Sequence, residues 1–132
     1  MAPQSGTSAE QFLTANAARP EVTTTASGLQ YEVLETGSGA RPGPRSMVVT
    51  HYHGTLADGT VFDSSVTRGQ PATFGVHQVI PAWTEALQMM TVGSKWRIAC
   101  PPNLAYGERG AGGVIGPNAA LVFDIDLLDI KG

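Results

Sequence analysis

The chain has 132 residues and a mass of 13.8 kDa, which is the size of one domain, since domains commonly contain about 100–150 residues. Its composition is 42% hydrophobic and 14% charged, which excludes an intrinsically disordered chain. Eight lysines and arginines against eleven aspartates and glutamates give a formal net charge of −3. Because no basic run exists to attract a phosphate backbone, nucleic acid is not an expected partner.

One folded domain is expected at residues 28–132, preceded at residues 1–27 by a disordered tail, a short helix and a linker. Residues 1–7 are small and polar, and residues 23–28 have the composition of a linker. No stretch approaches the roughly 20 apolar residues that cross a bilayer, and the N-terminus lacks the pattern of a signal peptide. The expected location is the cytoplasm if the chain is complete, and the periplasm or cell surface if a leader was removed.

The short N-terminal helix is predicted over about residues 9–18. Ser8 and Gln11 have the spacing of a capping box, in which side chains satisfy N–H groups of the first turn. Phe12 and Leu13 are the only large apolar residues of the segment. The helix is therefore too short and too weakly amphipathic to stand alone, and it either docks on the domain or belongs to something longer.

A sheet is predicted from residue 29 onward, where apolar and polar residues begin to alternate with period two. Asp58-Gly59 has the composition of a tight hairpin turn. Strands are expected at residues 29–33, 47–56, 61–63, 72–76, 95–100 and 121–130.

One internal helix is predicted to begin at Pro81, because proline suits the first helical position. Trp83, Leu87 and Met90 form a single apolar stripe at helical spacing, and Gly93 follows as a stop signal. An antiparallel sheet with one helix packed on it is an α+β fold.

The last two strands are joined by a long glycine-rich loop, and loops of this length in compact domains are usually functional. A phosphate cradle is one interpretation, but no Lys-Ser/Thr pair follows as in a P-loop. A flap over a site is favoured, since glycine supplies the positive φ of tight turns. The glycines are Gly107, Gly110, Gly112, Gly113 and Gly116.

The residue types of a hydrolase triad occur around the third predicted strand. Ser64 and Ser65 follow Asp63, and His51 and His53 stand on the preceding strand. No Gly-x-Ser-x-Gly nucleophile elbow is present, and strand alternation directs both histidines toward solvent, on the face opposite the intervening tyrosine. A triad is therefore the less favoured interpretation.

A metal site would need more ligands than the sequence visibly supplies. His51-x-His53 offers two imidazoles from one strand face, and His77 is a distant third. The sequence contains neither an HExxH motif nor a cysteine pair. Cys100, the single cysteine, is interpreted as a small core residue, and no metal is expected.

Six aromatic residues are distributed one per element, which suits either an ordinary core or an aromatic cleft. Trp83 lies in the first turn of its helix, and Asp63 is a lone carboxylate where an apolar strand would normally continue. These two details favour a cleft. The six are Tyr52, Phe62, Phe74, Trp83, Tyr106 and Phe123.

Residues 28–132 resemble the FKBP-type peptidyl-prolyl cis/trans isomerases in five separate motifs. Their order and spacing make accidental agreement implausible, and three further stretches look most like the bacterial macrophage infectivity potentiator branch. The five motifs are 51–54 (HYHG), 58–65 (DGTVFDSS), 79–83 (VIPAW), 104–107 (LAYG) and 121–123 (LVF), and the three stretches are 27–31, 71–74 and 84–90.

The resemblance implies a twisted antiparallel sheet of five or six strands wrapped around one short helix. It also implies a ligand pocket with Trp83 as its floor, and hydrogen-bond donors at the Ile80 N–H and the Tyr106 hydroxyl. Residues expected in catalysis are Tyr52, Phe62, Asp63, Trp83, Tyr106 and Phe123. Residues expected to bind substrate are Phe74, Val79, Ile80, Val114 and Ile115.

The implied function is isomerisation of Xaa-Pro bonds, without a cofactor, in proline-containing peptides and unfolded proteins. Macrolides such as rapamycin and tacrolimus are expected in the same pocket. The alternative is an FKBP-like binding or chaperone module with little turnover. Members of the branch carry a long helical dimerisation arm; only a short helix is visible here, so this form is expected to be a monomer.

Two positions depart from the family pattern beside the expected pocket. Ala82 replaces a glycine, which would strain the backbone if the position needs a positive φ. Gly116 replaces a proline in the flap, which is expected to make the flap more mobile. Neither change removes a wall residue, so activity with altered affinity is expected.

Overall fold

The computed structural model describes residues 5–107, 109–110, 115 and 118–131 of the chain. In this part of the chain, seven antiparallel strands form one sheet, and the predicted α+β class is confirmed. The strands are β1 (Thr23–Thr24), β2 (Gln30–Glu35), β3 (Met47–Leu56), β4 (Val61–Ser64), β5 (Ala72–Gly75), β6 (Lys95–Cys100) and β7 (Leu121–Ile130). The helices are α1 (Ser5–Ala17), α2 (Ser65–Arg68) and α3 (Pro81–Met89), with 3₁₀ turns at Val76–Gln78 and Pro102–Leu104.

The sheet has the strand order β1-β2-β6-β7-β3-β4, and β5 pairs with β3 beside β4. The predicted bounds of β3, β6 and β7 are confirmed. Burial alternates along most of β7, so Phe123 and Ile125 face the core while Asp124 and Asp126 face outward. The predicted hairpin turn is also confirmed, since the Leu56 N–H donates to the Thr60 carbonyl at 2.8 Å.

The helix α3 supplies the other half of the core. Trp83, Leu87 and Met90 are buried as their spacing predicts, and they share one hydrophobic cluster with the inner face of the sheet. The helix ends at Met89, where the next residue turns to an extended conformation, rather than at Gly93.

The N-terminal segment differs from the prediction. Helix α1 begins at Ser5, so residues 5–7 are helical rather than disordered, and Ser8 lies inside the helix rather than at a capping box. Contacts with the sheet stabilise this weakly amphipathic helix: the Gln30 side-chain amide of β2 donates to the Leu13 carbonyl of α1 at 2.9 Å. Arg19 also pairs with Glu32 at 2.9 Å.

Part of the predicted linker belongs to the sheet. Thr23 and Thr24 form β1 opposite Tyr31 and Gln30 of β2. Threonine has a high β propensity, which the linker interpretation of this segment overlooked. The division of the chain at residue 28 stays a prediction. Among the described residues, no helix is long and apolar enough to cross a bilayer.

Replacing Thr50 with valine is expected to raise the free energy of unfolding by about 1–2 kcal/mol. Thr50 is 0% exposed, and no described residue offers its Oγ1 a hydrogen-bond partner. Burial of an unpaired hydroxyl costs about 1–3 kcal/mol, and valine keeps the shape and the β propensity. Urea denaturation would show a higher midpoint at unchanged slope; a lower midpoint would mean that the hydroxyl is bonded, for example to a buried water.

Candidate functional site

A pocket of about 110 Å³ opens on the inner side of the sheet near the start of α3. Each of the described residues that line it was predicted as a site residue from the sequence. They come from β3, β4, β5, β7, α3, the turn before α3 and the loop after β6. The lining residues are Tyr52, Phe62, Asp63, Phe74, Val79, Ile80, Trp83, Tyr106 and Phe123.

Trp83 lies at the centre of this lining and is 4% exposed. Its ring meets those of Phe74 and Phe123 edge-on, each at a centroid distance of 5.3 Å, and that of Tyr52 at 5.4 Å. Edge-to-face pairs at this distance are favourable beyond the area that they bury. Three strands and a helix are thus fixed around a single indole.

Gly54 allows two of the walls to approach the sheet. Phe62 and Phe123 meet edge-on at 5.5 Å, directly above this glycine of β3. A Cβ at position 54 would lie 2.8 Å from Phe62 Cζ and 2.9 Å from Phe123 Cε1. Any side chain there would push the rings into the pocket, which is a physical reason for glycine in the HYHG motif.

A hydrogen-bonded network of three side chains forms the polar rim of the pocket. The Tyr52 hydroxyl donates to Asp63 Oδ2 at 2.6 Å. Arg68 donates to Asp63 Oδ1 at 2.5 Å and to the Tyr52 hydroxyl at 3.0 Å. The carboxylate is therefore held from two sides at the mouth of an apolar cavity, as one half of an ion pair with Arg68.

Arg68 is the member of this network that sequence reasoning missed. It is delivered by α2, whose first turn is capped by the Ser64 hydroxyl accepting from the Thr67 N–H at 3.1 Å. Gly69 ends the helix in a left-handed conformation at φ 76°. A serine cap and a terminal glycine are known helix signals, and here, five residues apart, they could have located this turn.

The network shifts the ionisation of its members in opposite directions. Burial raises the pKa of Tyr52 above its usual 10.0, and the hydrogen bond to Asp63 raises it further. For Asp63, burial disfavours the charged form, but the hydrogen bonds from Tyr52 and Arg68 outweigh it, and the pKa falls below the usual 3.8. The rim therefore stays a carboxylate, a neutral phenol and a guanidinium at neutral pH.

The serine–histidine pairs do not form a hydrolase site. His51 Nδ1 lies 2.8 Å from Ser65 Oγ and His53 Nδ1 lies 2.9 Å from Ser64 Oγ. Ser65 is fully buried and accepts from the Tyr52 N–H at 2.7 Å, while Ser64 caps α2. Neither hydroxyl can reach a substrate, so the triad interpretation has no accessible nucleophile.

A three-ligand metal site, a reactive cysteine and a second aromatic pocket find little support in the described part of the chain. Within it, no three His, Cys, Asp or Glu side chains are grouped closely enough to hold a metal ion. Cys100 is buried as predicted, and burial raises the pKa of its thiol far above the ordinary value, which keeps it unreactive. A larger cavity of about 360 Å³ lies between α1 and the outer face of the sheet, but no cluster of aromatic rings converges on it.

The remaining predictions fall partly outside the pocket. Ile115 is buried in the hydrophobic core and is absent from the pocket lining, and Val114 and Gly116 lie outside the described residues. Ala82 does not have the positive φ that would have strained its backbone, because Asn118 is the only non-glycine residue with a positive φ in the described part of the chain. Ala82 is instead a fully buried residue of the first turn of α3.

Comparison with known proteins agrees with this geometry. The family model described as FKBP-type peptidyl-prolyl cis-trans isomerase matches residues 39–128, and a model of the domain amino-terminal to such isomerases matches residues 2–33. The chain belongs to the FKBP-type family. The predicted family is therefore confirmed, over both the sheet that forms the pocket and the N-terminal segment that docks on it.

Relatives of this FKBP-type chain include two curated bacterial proteins. The Outer membrane protein MIP of Legionella longbeachae is 52% identical over 122 residues, which cover 92% of this chain and 52% of that protein. The FKBP-type isomerase FkpA of Aeromonas hydrophila is 57% identical over 122 residues, covering 92% and 45%. The chain thus spans about half the length of the curated relatives it matches, and the likeness to the macrophage infectivity potentiator branch is confirmed.

A solved structure covers the full FKBP-type chain. The crystal structure of a peptidyl-prolyl cis-trans isomerase from Pseudomonas syringae pv. tomato aligns with a TM-score of 0.91 at 37% identity. The alignment covers 100% of this chain and 98% of that one. The docked α1 and the sheet therefore have counterparts in one experimentally determined arrangement.

Proposed function

We propose that this protein catalyses cis–trans isomerisation of Xaa-Pro bonds in proline-containing peptides and unfolded proteins. The observation that carries the proposal is the convergence of six aromatic rings on one small apolar pocket with a carboxylate held at its rim. A prolyl ring is compact and apolar, and Trp83 offers it a flat floor. The family to which the chain belongs is named for the same reaction.

The reaction requires rotation about an amide bond rather than proton transfer. Amide resonance creates a barrier of about 18–20 kcal/mol, and the planar ground state is the more polar one because resonance places negative charge on oxygen. A pocket that excludes water favours the less polar twisted state over the planar one. A million-fold acceleration needs about 8 kcal/mol of such preference.

Two donors are proposed to hold the peptide in the productive conformation. The Ile80 carbonyl accepts from the first turn of α3, while its own N–H donates to no acceptor among the described residues. The Tyr106 hydroxyl stands in an exposed loop position beside the pocket. Donation from these groups to carbonyls flanking the proline would preorganise a turn and so lower the entropic part of the barrier.

Asp63 is proposed to act electrostatically at the pocket rim. With Tyr52 and Arg68 as fixed partners, its charge lies at the edge of a low-dielectric cavity, where its field is screened less than in water. In a bound Xaa-Pro peptide the carboxylate would lie near the rotating carbonyl carbon, whose positive character its field would stabilise. The same fixed arrangement keeps the Tyr52 ring against Trp83.

Macrolides such as rapamycin and tacrolimus are proposed to bind the same pocket. They are large apolar molecules, and the lining supplies aromatic walls and the same two donors for their carbonyls. Competition tests this directly: increasing macrolide should abolish isomerisation with one-to-one stoichiometry. Inhibition that leaves residual activity at saturation would place the macrolide elsewhere.

The isomerase proposal is tested with a short Xaa-Pro peptide in a proline-limited cleavage assay, and with a refolding protein whose slow phase is prolyl isomerisation. Uncatalysed isomerisation takes tens to hundreds of seconds, so a catalyst is seen as an accelerated slow phase. Peptide binding without acceleration would instead establish the binding or chaperone alternative. Absence of both would remove the function altogether.

The catalytic efficiency kcat/KM is expected to be flat from about pH 5.5 to 8, unlike the bell shape of acid–base catalysis. The pKa of Asp63 is lowered from 3.8 and that of Tyr52 is raised from 10.0, so neither group changes charge in that window.

The stability of the folded protein depends on pH at lower values. Because the pKa of Asp63 is lowered in the folded state, ionised Asp63 stabilises the folded state above its unfolded pKa. This stabilisation is lost as pH falls through the folded pKa.

Stopped-flow measurement of kcat/KM across this range, with unfolding followed in parallel below pH 4, checks both parts of the expectation. A steep change near the ordinary histidine pKa of about 6.5 would reveal a titrating group that this mechanism lacks.

We further propose that the protein works in the periplasm or at the cell surface, the second of the two locations predicted above. The support is the name of the Legionella longbeachae relative, which calls that protein an outer membrane protein. Fractionation of the source cells with compartment markers tests the proposal. Recovery with cytoplasmic markers alone would contradict it.

A further inference from the structure

We propose that His51 and His53 form a binding site for a divalent late first-row transition metal on the face of the sheet opposite the aromatic pocket. The two residues flank Tyr52 on β3. Because side chains alternate along a strand, both imidazoles project from one face while Tyr52 projects into the pocket on the other. Residues two apart on a strand are about 7 Å apart, a separation that two inclined imidazoles can span to share one ion.

Buried serines hold both rings. His51 Nδ1 lies 2.8 Å from Ser65 Oγ, and His53 Nδ1 lies 2.9 Å from Ser64 Oγ. The serines are themselves 0% and 5% exposed, and each also accepts a backbone N–H, from Tyr52 and Thr67 respectively. Hydrogen bonds to one ring nitrogen that fix the orientation of the other are the usual support of metal-binding histidines.

The Nε2 atoms of both rings remain available. Among the described residues no hydrogen-bond partner is found for His51 Nε2 or His53 Nε2, whereas both Nδ1 atoms are occupied. Both histidines are partly exposed. In the tautomer whose Nδ1–H donates to the serine, Nε2 carries the free lone pair. An imidazole nitrogen of this kind is a preferred ligand of zinc, copper and nickel, whereas calcium and magnesium prefer oxygen.

The surroundings of the two rings can accept a hydrated cation. A concavity of about 190 Å³ is lined by both histidines and by charged residues of the neighbouring strands. Asp126 lies opposite His51, and Asp124 lies opposite His53. The carboxylates of Asp124 and Asp126 are balanced by Arg97 and Lys95, which lie opposite them on β6. The carboxylate oxygens can still accept hydrogen bonds from metal-bound water.

The coordination sphere that we infer contains two protein nitrogens, and water completes it. Within the described part of the chain, no group of three side chains is suited to hold an ion, and Asp124 is already engaged by Arg97 at 2.7 Å. A site with two imidazole ligands binds a metal ion more weakly than a closed structural site does. Its affinity is expected to be higher for Cu²⁺ than for Zn²⁺ or Ni²⁺. It is therefore a site for reversible loading.

Titration calorimetry with Ni²⁺ tests the site, on the full chain prepared without a histidine tag. The chain contains three histidines, so His77→Asn is a matched control that removes an imidazole away from the site. His51→Asn and His53→Asn place an amide nitrogen near the former Nδ1, keeping a partner for the serine while removing Nε2. Circular dichroism confirms that each variant is folded.

The expected result is one Ni²⁺ per chain, with affinity reduced at least about tenfold in each of His51→Asn and His53→Asn. Changes to groups that merely support a ligand already cost about 10–100-fold. His77→Asn should bind as the unaltered chain does. With Cu²⁺, electron paramagnetic resonance should show coupling to two imidazole nitrogens.

Equal binding by all three variants, equal loss in His77→Asn, or a copper spectrum with one nitrogen would overturn the proposal. The site does not depend on the proposed isomerase function. Binding of Ni²⁺ can be measured in a chain without turnover, and an active isomerase can prove unable to bind it, so the two proposals fail separately.

Discussion

Replacing Trp83 with alanine is expected to lower kcat/KM for an Xaa-Pro peptide by about 10- to 100-fold. Fully burying one large apolar group is worth about 1.5–3 kcal/mol, and each 1.36 kcal/mol of lost transition-state stabilisation is a factor of about ten in rate. Trp83 contacts three other rings of the lining, so its loss removes the floor and loosens the walls.

Stability will also fall, and this effect must be separated from catalysis. Truncation of a buried tryptophan typically costs about 3–5 kcal/mol. Trp96→Ala is the matched control, because Trp96 is 7% exposed, stacks on Tyr31 at 4.4 Å and is not part of the pocket lining. Both variants should be assayed at a temperature where circular dichroism shows them folded.

The expected contrast is a destabilised but active Trp96→Ala and a destabilised and impaired Trp83→Ala. Trp83→Phe, which keeps an aromatic floor of smaller area, should lie between the alanine variant and the unaltered chain. Equal activity of Trp83→Ala and Trp96→Ala, with both proteins folded, would show that the pocket is not the catalytic site.

The parts of the fold that could be predicted from sequence are those with a long periodic signal. Alternation along most of its ten residues defines β7, and the stripe of Trp83, Leu87 and Met90 defines the buried face of α3. In such segments the periodicity of the sequence and the burial in the folded protein favour the same element, so the sequence alone is enough to predict it. The same agreement fixed the bounds of β3.

The parts that could not be predicted depend on contacts between distant residues. Helix α2 has four residues, too few for any periodicity, and only its caps mark it. The N-terminal helix begins at Ser5 rather than at residue 9. The contact of the helix with Gln30, and that of Arg19 just after the helix with Glu32, join residues 13 or more positions apart along the chain. No local rule contains that information.

The residues of the candidate site could be predicted from the sequence, but the hydrogen bonds between them could not. The aromatic residues and Asp63 are visible as unusual positions, and the family resemblance places them around one pocket. Arg68, the partner of Asp63, could not be identified, because nothing in the sequence distinguishes it from an ordinary surface arginine. Only the short helix α2 brings it to the rim of the pocket. Likewise, the serines beside His51 and His53 suggested a nucleophile, whereas the structure uses them to hold the rings.

Removing that unforeseen partner provides the second large effect. Arg68→Met is expected to lower kcat/KM by about tenfold, the size of effect typical for the loss of a charge-assisted hydrogen bond that is partly open to water. The substitution removes the hydrogen bonds that Arg68 donates to Asp63 at 2.5 Å and to the Tyr52 hydroxyl at 3.0 Å, and leaves those two groups bonded only to each other. Arg97→Met is the control, since Arg97 pairs with Asp124 at 2.7 Å on the opposite face, and it should leave kcat/KM unchanged.

A double-mutant cycle shows whether Asp63 and Arg68 act as one unit. Asp63→Ala alone is expected to cost about as much in kcat/KM as Arg68→Met alone. If Arg68 acts only by positioning the carboxylate, the double variant should lose no more than Asp63→Ala does, because neighbours that share one network are not additive. Fully additive losses would mean that Arg68 contacts the peptide itself, and an unchanged KM with reduced kcat in both single variants would place their effect in the twisted state rather than in substrate binding.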